Sequence, residues 1–403
     1  MKTPELKFIA LVAIATMALA ACQSNSADPF SDAGNTSSVP SSAEATKDEA
    51  EQNPGAETPP TGDIGAPVGT FRGTFQVGGE SGAIATSRNG SKLFVTRTRG
   101  NSEEILSVDA ETLEIYSATG NVLPNPRRQS LDGLAVSADG STIYSLASES
   151  RAALILVIDP LTGRVLQQAK LRDNYGGLFR LGSNLYTSSW NYLAEPRLEP
   201  HRLAQIKTEN VKSIREIEVG YANIVGTCSS SDEIALVSEE EDGREGDIIF
   251  MPIKVSAFQV RDLVEVGSEE TVLAIDPSCT TLMKEPFIED ALLSHDIKLA
   301  TDKALAVEKY PQPFERRLIA YSPDGSLVYV LIERGSTYGL AIVDAQTLEI
   351  KGEIMADASG TTNEARAEEL VLSGDGSRAF LLVLGNESRE DSDSVLVFDL
   401  IGG

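Results

Sequence analysis

The chain has 403 residues, 60 of them acidic and 34 basic, for a formal net charge of −26. A surplus of that sign argues against a nucleic-acid partner, whose phosphates are met by Lys and Arg clusters. Two histidines in the whole chain leave almost nothing for a haem or multi-histidine metal centre, so neither a cofactor nor a metal is expected.

Residues 1–21 read as a signal peptide. Lys2 and Lys7 form a short positive region, and residues 8–21 are apolar or small almost throughout. As a helix that apolar stretch spans about 21 Å, short of the roughly 30 Å hydrocarbon core, so it is not a permanent span. It ends in Leu19-Ala20-Ala21-Cys22, which resembles the lipoprotein box of bacterial lipoproteins. The resemblance implies that Cys22 is the lipid-attachment residue and that the chain is lipid-anchored in the cell envelope. Gln23 follows the cysteine, where Asp would favour inner-membrane retention, so the resemblance leans towards the outer membrane.

Composition changes abruptly at residues 22–69, which carry Ser, Ala, Pro, Glu and Asp with few large apolar side chains. Such a segment cannot bury enough surface to offset its conformational entropy. It reads as a flexible tether with an r.m.s. reach of about 35–40 Å.

Residues 70–403 repeat one phrase. SRNGSKLFV, SADGSTIYS, SPDGSLVYV and SGDGSRAFL begin at Ser87, Ser137, Ser322 and Ser373. Asn-Gly or Asp-Gly between alternating apolar runs is a hairpin signal, since these residues tolerate positive φ. A second phrase follows each copy: ILSVDAETLEI, LILVIDPLTGRV, LAIVDAQTLEI and VLVFDL, each a further strand with an Asp-led turn in most copies. Gly90 and Gly140 lie 50 residues apart, and Gly325 and Gly376 lie 51 apart. The 185-residue gap from Gly140 to Gly325 holds weaker copies near Gly182, Ser231 and Ser278. Seven units of about 48 residues result, the period of four-stranded propeller blades.

These tandem phrases resemble YVTN-type β-propeller repeats, which implies an all-β, seven-bladed propeller of four-stranded antiparallel blades. The last unit stops at a third strand. Residues 70–77 (TFRGTFQV) are expected to supply its missing outer strand and close the ring, protecting edges that would otherwise template aggregation.

Asp109, Asp159, Asp344 and Asp399 recur at matching positions, one per unit, and are expected to accept hydrogen bonds from turn backbone rather than to act together. The acidic runs at residues 238–247 and 386–393 have no calcium-loop spacing and read as solvated loops. An insertion at residues 188–202 (SSWNYLAEPRLEPHR) holds the single Trp190 with Tyr192, Arg197, His201 and Arg202 nearby, residue types enriched where proteins bind proteins. Trp190, Tyr192, Arg197 and Arg202 are therefore a candidate partner-binding loop. His201 and His295 show no HxxxH-like spacing, and no catalytic residue is assigned. Cys228 and Cys279, 51 residues apart in adjacent units, are a candidate disulfide in a compartment that permits one.

Two functions fit. One is a monomeric scaffold, membrane-bound through its lipid, that grips another envelope protein. The other is a small-ligand binder or lactonase-like enzyme using the central funnel.

Overall fold

The computed structural model describes residues 68–401, apart from residues 121, 124–128, 150–151, 173–174, 190–200, 221–222, 229–232, 240–246, 261–263, 269, 287–290, 299–300, 307–317, 335–336, 357–364 and 386–392. Every regular element among the described residues is a strand. They form seven antiparallel sheets: blades 1 to 6 at residues 80–118, 129–170, 175–220, 223–268, 270–306 and 319–355, and blade 7 at residues 366–400 together with 69–76. In blade 4 the outer position is divided between Gln259–Val260 and Val264–Ser268, both paired with Asp247–Lys254.

Turn chemistry explains the repeating phrase. Ser87 Oγ accepts from the Lys92 amide at 3.0 Å and donates to Asn89 Oδ1 at 3.0 Å. Ser322 and Asp324 do the same with the Leu327 amide, and Ser373 and Asp375 with that of Arg378. Gly90, Gly140, Gly325 and Gly376 sit at φ of +63° to +76°, the left-handed region that a Cβ disfavours. Amide and hydroxyl donors from the same turns hold the Asp carboxyls down, that of Asp139 to about 2.

The recurrent aspartates do what their spacing predicts. Asp109 Oδ1 accepts from the Glu111 and Thr112 amides at 2.8 and 3.0 Å, and Asp344 Oδ1 from those of Gln346 and Thr347 at 3.1 and 2.9 Å. Asp159 takes the Leu161 amide at 2.9 Å and Thr162 Oγ1 at 2.8 Å. Asp399 differs, because it receives Arg72 Nε at 2.8 Å and Arg378 Nε at 3.1 Å.

The core lies between blades rather than under a single sheet. Second and third strands such as Lys92–Arg99 and Ser394–Leu400 carry consecutive apolar residues, because both faces of each sheet are covered. Each seam has its own cluster. Leu93, Val95, Phe380 and Val397 pack between blades 7 and 1, and Leu340, Ile342, Leu381 and Phe398 between blades 6 and 7. Inner strands touch their neighbours all round the ring, with Glu80–Thr86 meeting both Gln129–Val136 and Arg366–Leu372.

The ring closes with its own first strand. Gly69–Gln76 pairs antiparallel with Ser394–Leu400 as the outer strand of blade 7. Phe71 packs on Phe398 with ring centroids 5.6 Å apart, and Phe75 and Val77 are buried. Arg72 ties the seam to blade 1 through Glu111 Oε1 at 2.9 Å. The signal, Cys22 and most of the tether lie outside the described residues.

Candidate functional site

Trp190, Tyr192 and Arg197 lie outside the described residues, as do residues 240–246 and 386–392 of the acidic runs. Arg202 requires a correction. It does not sit on a loop but in the strand His201–Lys207, where its amide donates to Ser189 Oγ at 2.7 Å and its guanidinium stands 3.9 Å from Glu218. Pairing of that strand with Asn210–Gly220 captures both His201 and Arg202.

Cys228 and Cys279 are joined across the seam between blades 4 and 5, with Cα atoms 5.4 Å apart. Cys279 stands where other blades place the turn glycine, and its φ is +58°. The turn Asp276-Pro277-Ser278-Cys279-Thr280 is thus a rewritten copy of the repeated phrase, with Asp276 in the place of the serine. Asp276 Oδ1 accepts the Thr280 and Thr281 amides, both at 2.6 Å. The same seam holds an ionic cluster that the sequence does not disclose, with Lys284 and His295 buried and Asp302 exposed. Lys284 Nζ lies 3.1 Å and His295 Nδ1 2.7 Å from Asp302 Oδ1, one residue from each of three adjacent strands of blade 5. Those two donors outweigh partial burial and lower the Asp302 carboxyl.

Carboxyls also gather where the inner strands begin. Glu369 on the inner strand of blade 7 reaches across the seam to accept the Ile84 amide at 2.9 Å, supplying an acceptor to a donor on an inner strand of blade 1. Burial pushes its carboxyl up to about 7, and the nearby Glu368 adds to the effect. Asp393 accepts the Ser81 amide at 2.7 Å, the Ser81 hydroxyl at 2.8 Å and the Gly385 amide at 2.9 Å. Burial raises Asp132, which Ser130 Oγ contacts at 2.6 Å, and raises Glu103, which feels Asp132 and Glu80. Glu369 and Asp393 join strands of different blades or of the closure, so their first role is to satisfy backbone donors.

Glu369 makes stability depend on pH with a definite sign. Its folded value lies above the ordinary 4.5, so its contribution is fully present below about pH 4.5 and lost as pH rises to about 7. The full displacement corresponds to about 3 kcal/mol, less what solvent screening removes from a half-buried residue. Glu369→Gln keeps the acceptor for Ile84. It is expected to melt higher than the parent at pH 8 and equally at pH 4.5; thermal scans across that range would show parallel curves if Glu369 does not carry this effect.

The third feature is a cleft of about 400 Å³ between blades 5 and 6. The turn of blade 5 lines it through Asp276, Pro277 and Thr281, and blade 6 through Tyr321, Asp324 and Gln346. The Tyr321 hydroxyl is buried without a hydrogen-bond partner, and burial together with the Asp276 charge keeps it neutral. Among the described residues no group of three His, Cys, Asp or Glu side chains is placed to hold a metal ion.

No family model matches the chain, and neither does any curated protein. Solved structures do. The hydrazine synthase of Kuenenia stuttgartiensis is 14% identical with a TM-score of 0.54, covering 76% of this chain and 95% of its own. The Cps50 (Swd1) β-propeller domain of Myceliophteria thermophila is 12% identical with a TM-score of 0.53, covering 83% and 100%. A chain of a mitotic checkpoint complex is 10% identical with a TM-score of 0.57, covering 88% and 100%. One of these is named as an enzyme and another as part of a complex, so the likeness carries architecture and not activity. The chain is a seven-bladed β-propeller.

Proposed function

We propose that this protein is a lipid-anchored lipoprotein of the bacterial cell envelope, outer membrane rather than inner, whose propeller is a scaffold for another envelope protein. The observation that carries the reading is Leu19-Ala20-Ala21-Cys22 directly after an apolar core, followed by a long polar tether. The tether leads into Gly69–Gln76, the outer strand of blade 7, so the chain joins the ring at its rim and not on the axis. An anchor at the rim is compatible with loops on either face gripping a partner. A propeller chain within a mitotic checkpoint complex shows that the fold can serve in assemblies.

The enzyme alternative would draw on the raised carboxyls Glu369, Asp132 and Glu103. Glu369 is already committed to the Ile84 amide, which favours the scaffold.

Cys22→Ala is expected to move the protein from the membrane pellet to the soluble fraction and to abolish palmitate incorporation. Multiple acyl chains hold firmly where a single chain does not, so the shift should be nearly complete. Continued pelleting with label incorporated would reject the anchor. A pulldown from detergent-solubilised membranes tests the scaffold: saturable, stoichiometric recovery of one envelope protein supports it, and none in the parent organism's membranes counts against it.

A further inference from the structure

We propose that one edge of the propeller, the one built from its short turns, lies against the lipid surface to which the chain is tethered. That such a surface exists rests on the anchor reading; which edge meets it rests on the ring itself.

Connectivity makes the two edges unlike. Turns between first and second strands, and between third and outer strands, fall on one edge, and all are short, such as residues 87–91, 110–113, 182–183 and 345–349. The longest connections, residues 119–128, 190–200, 307–318, 356–365 and 385–393, join strand ends on the other edge.

Large apolar side chains that stay exposed among the described residues gather on the short-turn edge. Leu161, 71% exposed, lies in the turn before the outer strand of blade 2. Leu166 stands near the start of that strand, and Ile115 and Tyr116 near the start of the outer strand of blade 1. Ser117 Oγ donates to the Leu161 carbonyl at 3.2 Å, which brings the apolar residues of the two blades together. Val260 and Ile350 hold the same place in blades 4 and 6, and Ile401 follows the third strand of blade 7. The turn itself does not call for a leucine, because blade 1 has Glu111 and blade 6 Gln346 where blade 2 has Leu161.

Spread round the ring, these side chains share a plane rather than a groove. A plane fits a lipid surface, whereas a protein partner is gripped through a compact central cluster. The tether arrives on the same edge. The Val68 carbonyl accepts the Ile401 amide at 3.0 Å, and Gly69 pairs with Leu400 at the end of the third strand. An anchored N-terminus keeps this edge near lipid at high effective concentration, so contacts too weak to bind alone suffice. A charge of −26 gives no attraction to anionic headgroups, so the contact relies on apolar side chains and suits zwitterionic lipid.

Tryptophan reporters test this in the full-length chain anchored to phosphatidylcholine vesicles, with Trp190→Phe removing the native signal. Leu161→Trp reports on the short-turn edge, and Arg99→Trp, at an exposed hairpin position, on the opposite one. Lipid brominated in its acyl chains is expected to quench Leu161→Trp at least about twofold more than Arg99→Trp. Adding Ile115→Asp and Leu166→Asp to the Leu161→Trp chain should cut that quenching about threefold. The melting temperature should stay nearly unchanged, because both side chains are exposed. Equal quenching at the two sites, stronger quenching at Arg99→Trp, or quenching undiminished by the two aspartates would each overturn the proposal. A concentration-dependent blue shift of Leu161→Trp without vesicles would assign the edge to a second copy of the chain and overturn it too. The same reporters, held on nickel-chelating lipid by a hexahistidine tag at residue 22, keep the two readings apart. Quenching there, with no palmitate on Cys22 of the untagged chain, would reject the anchor and leave the lipid-facing edge standing. Palmitate on Cys22 with no quenching would reject the edge alone.

Discussion

A chain beginning at Gly78 is expected to melt far below one beginning at Val68, and to aggregate on heating. The missing segment is the outer strand of blade 7, whose remaining strands come from residues 366–400. Its loss uncovers the edge of Ser394–Leu400 and removes the Phe71–Phe398 contact along with the buried Phe75 and Val77. It also takes Arg72 from Asp399, a carboxylate 2.7 Å away, and from Glu111. Two buried apolar side chains contribute about 1.5–3 kcal/mol each, and cross-strand pairs add a few tenths to 1 kcal/mol apiece. A deficit of at least about 5 kcal/mol follows, comparable to the whole stability of many domains. Calorimetry and size-exclusion chromatography on the two chains make the comparison. Equal melting temperatures would mean that closure contributes nothing. A peptide covering residues 68–77, added in excess, should restore part of the loss, because its docking site persists.

Reduction of Cys228–Cys279 is expected to be the second large effect. The bridge spans 51 residues, and the chain-entropy relation assigns a loop of that size about 4 kcal/mol. Two double variants separate covalent from backbone contributions. Cys228→Ala with Cys279→Gly loses the bridge but keeps a residue suited to φ of +58°. Cys228→Ala with Cys279→Ala loses the bridge and keeps a Cβ in the left-handed region, so it should be less stable than the glycine version by about 1 kcal/mol. Both should melt below the oxidised parent, and dithiothreitol should lower the parent but neither variant. Insensitivity of the parent to reductant would show that the bridge carries no stability.

Residue types at short spacing were enough to determine the propeller. Ser87-to-Gly90 and its copies announce a turn because serine, Asn or Asp, and glycine satisfy their own backbone locally, so the chemistry is complete within six residues. Asp109, Asp159 and Asp344 were legible as turn acceptors for the same reason, and the spare strand at residues 70–77 was legible because the last unit lacked one. Other features were settled only when strands from different blades met. Cys279 replaces a glycine and Asp276 a serine, so blade 5 no longer spells the phrase although its backbone keeps the turn. Lys284, His295 and Asp302 form a cluster because three strands bring them together, and Glu369 finds the Ile84 amide 285 residues away in the chain. Arg202 reads as a loop residue because its neighbours are polar and proline-rich, whereas ladder pairing with the next strand holds it in the sheet. A seam is built from side chains of two blades and local sequence describes one at a time, so the cleft between blades 5 and 6 appears only in the tertiary structure.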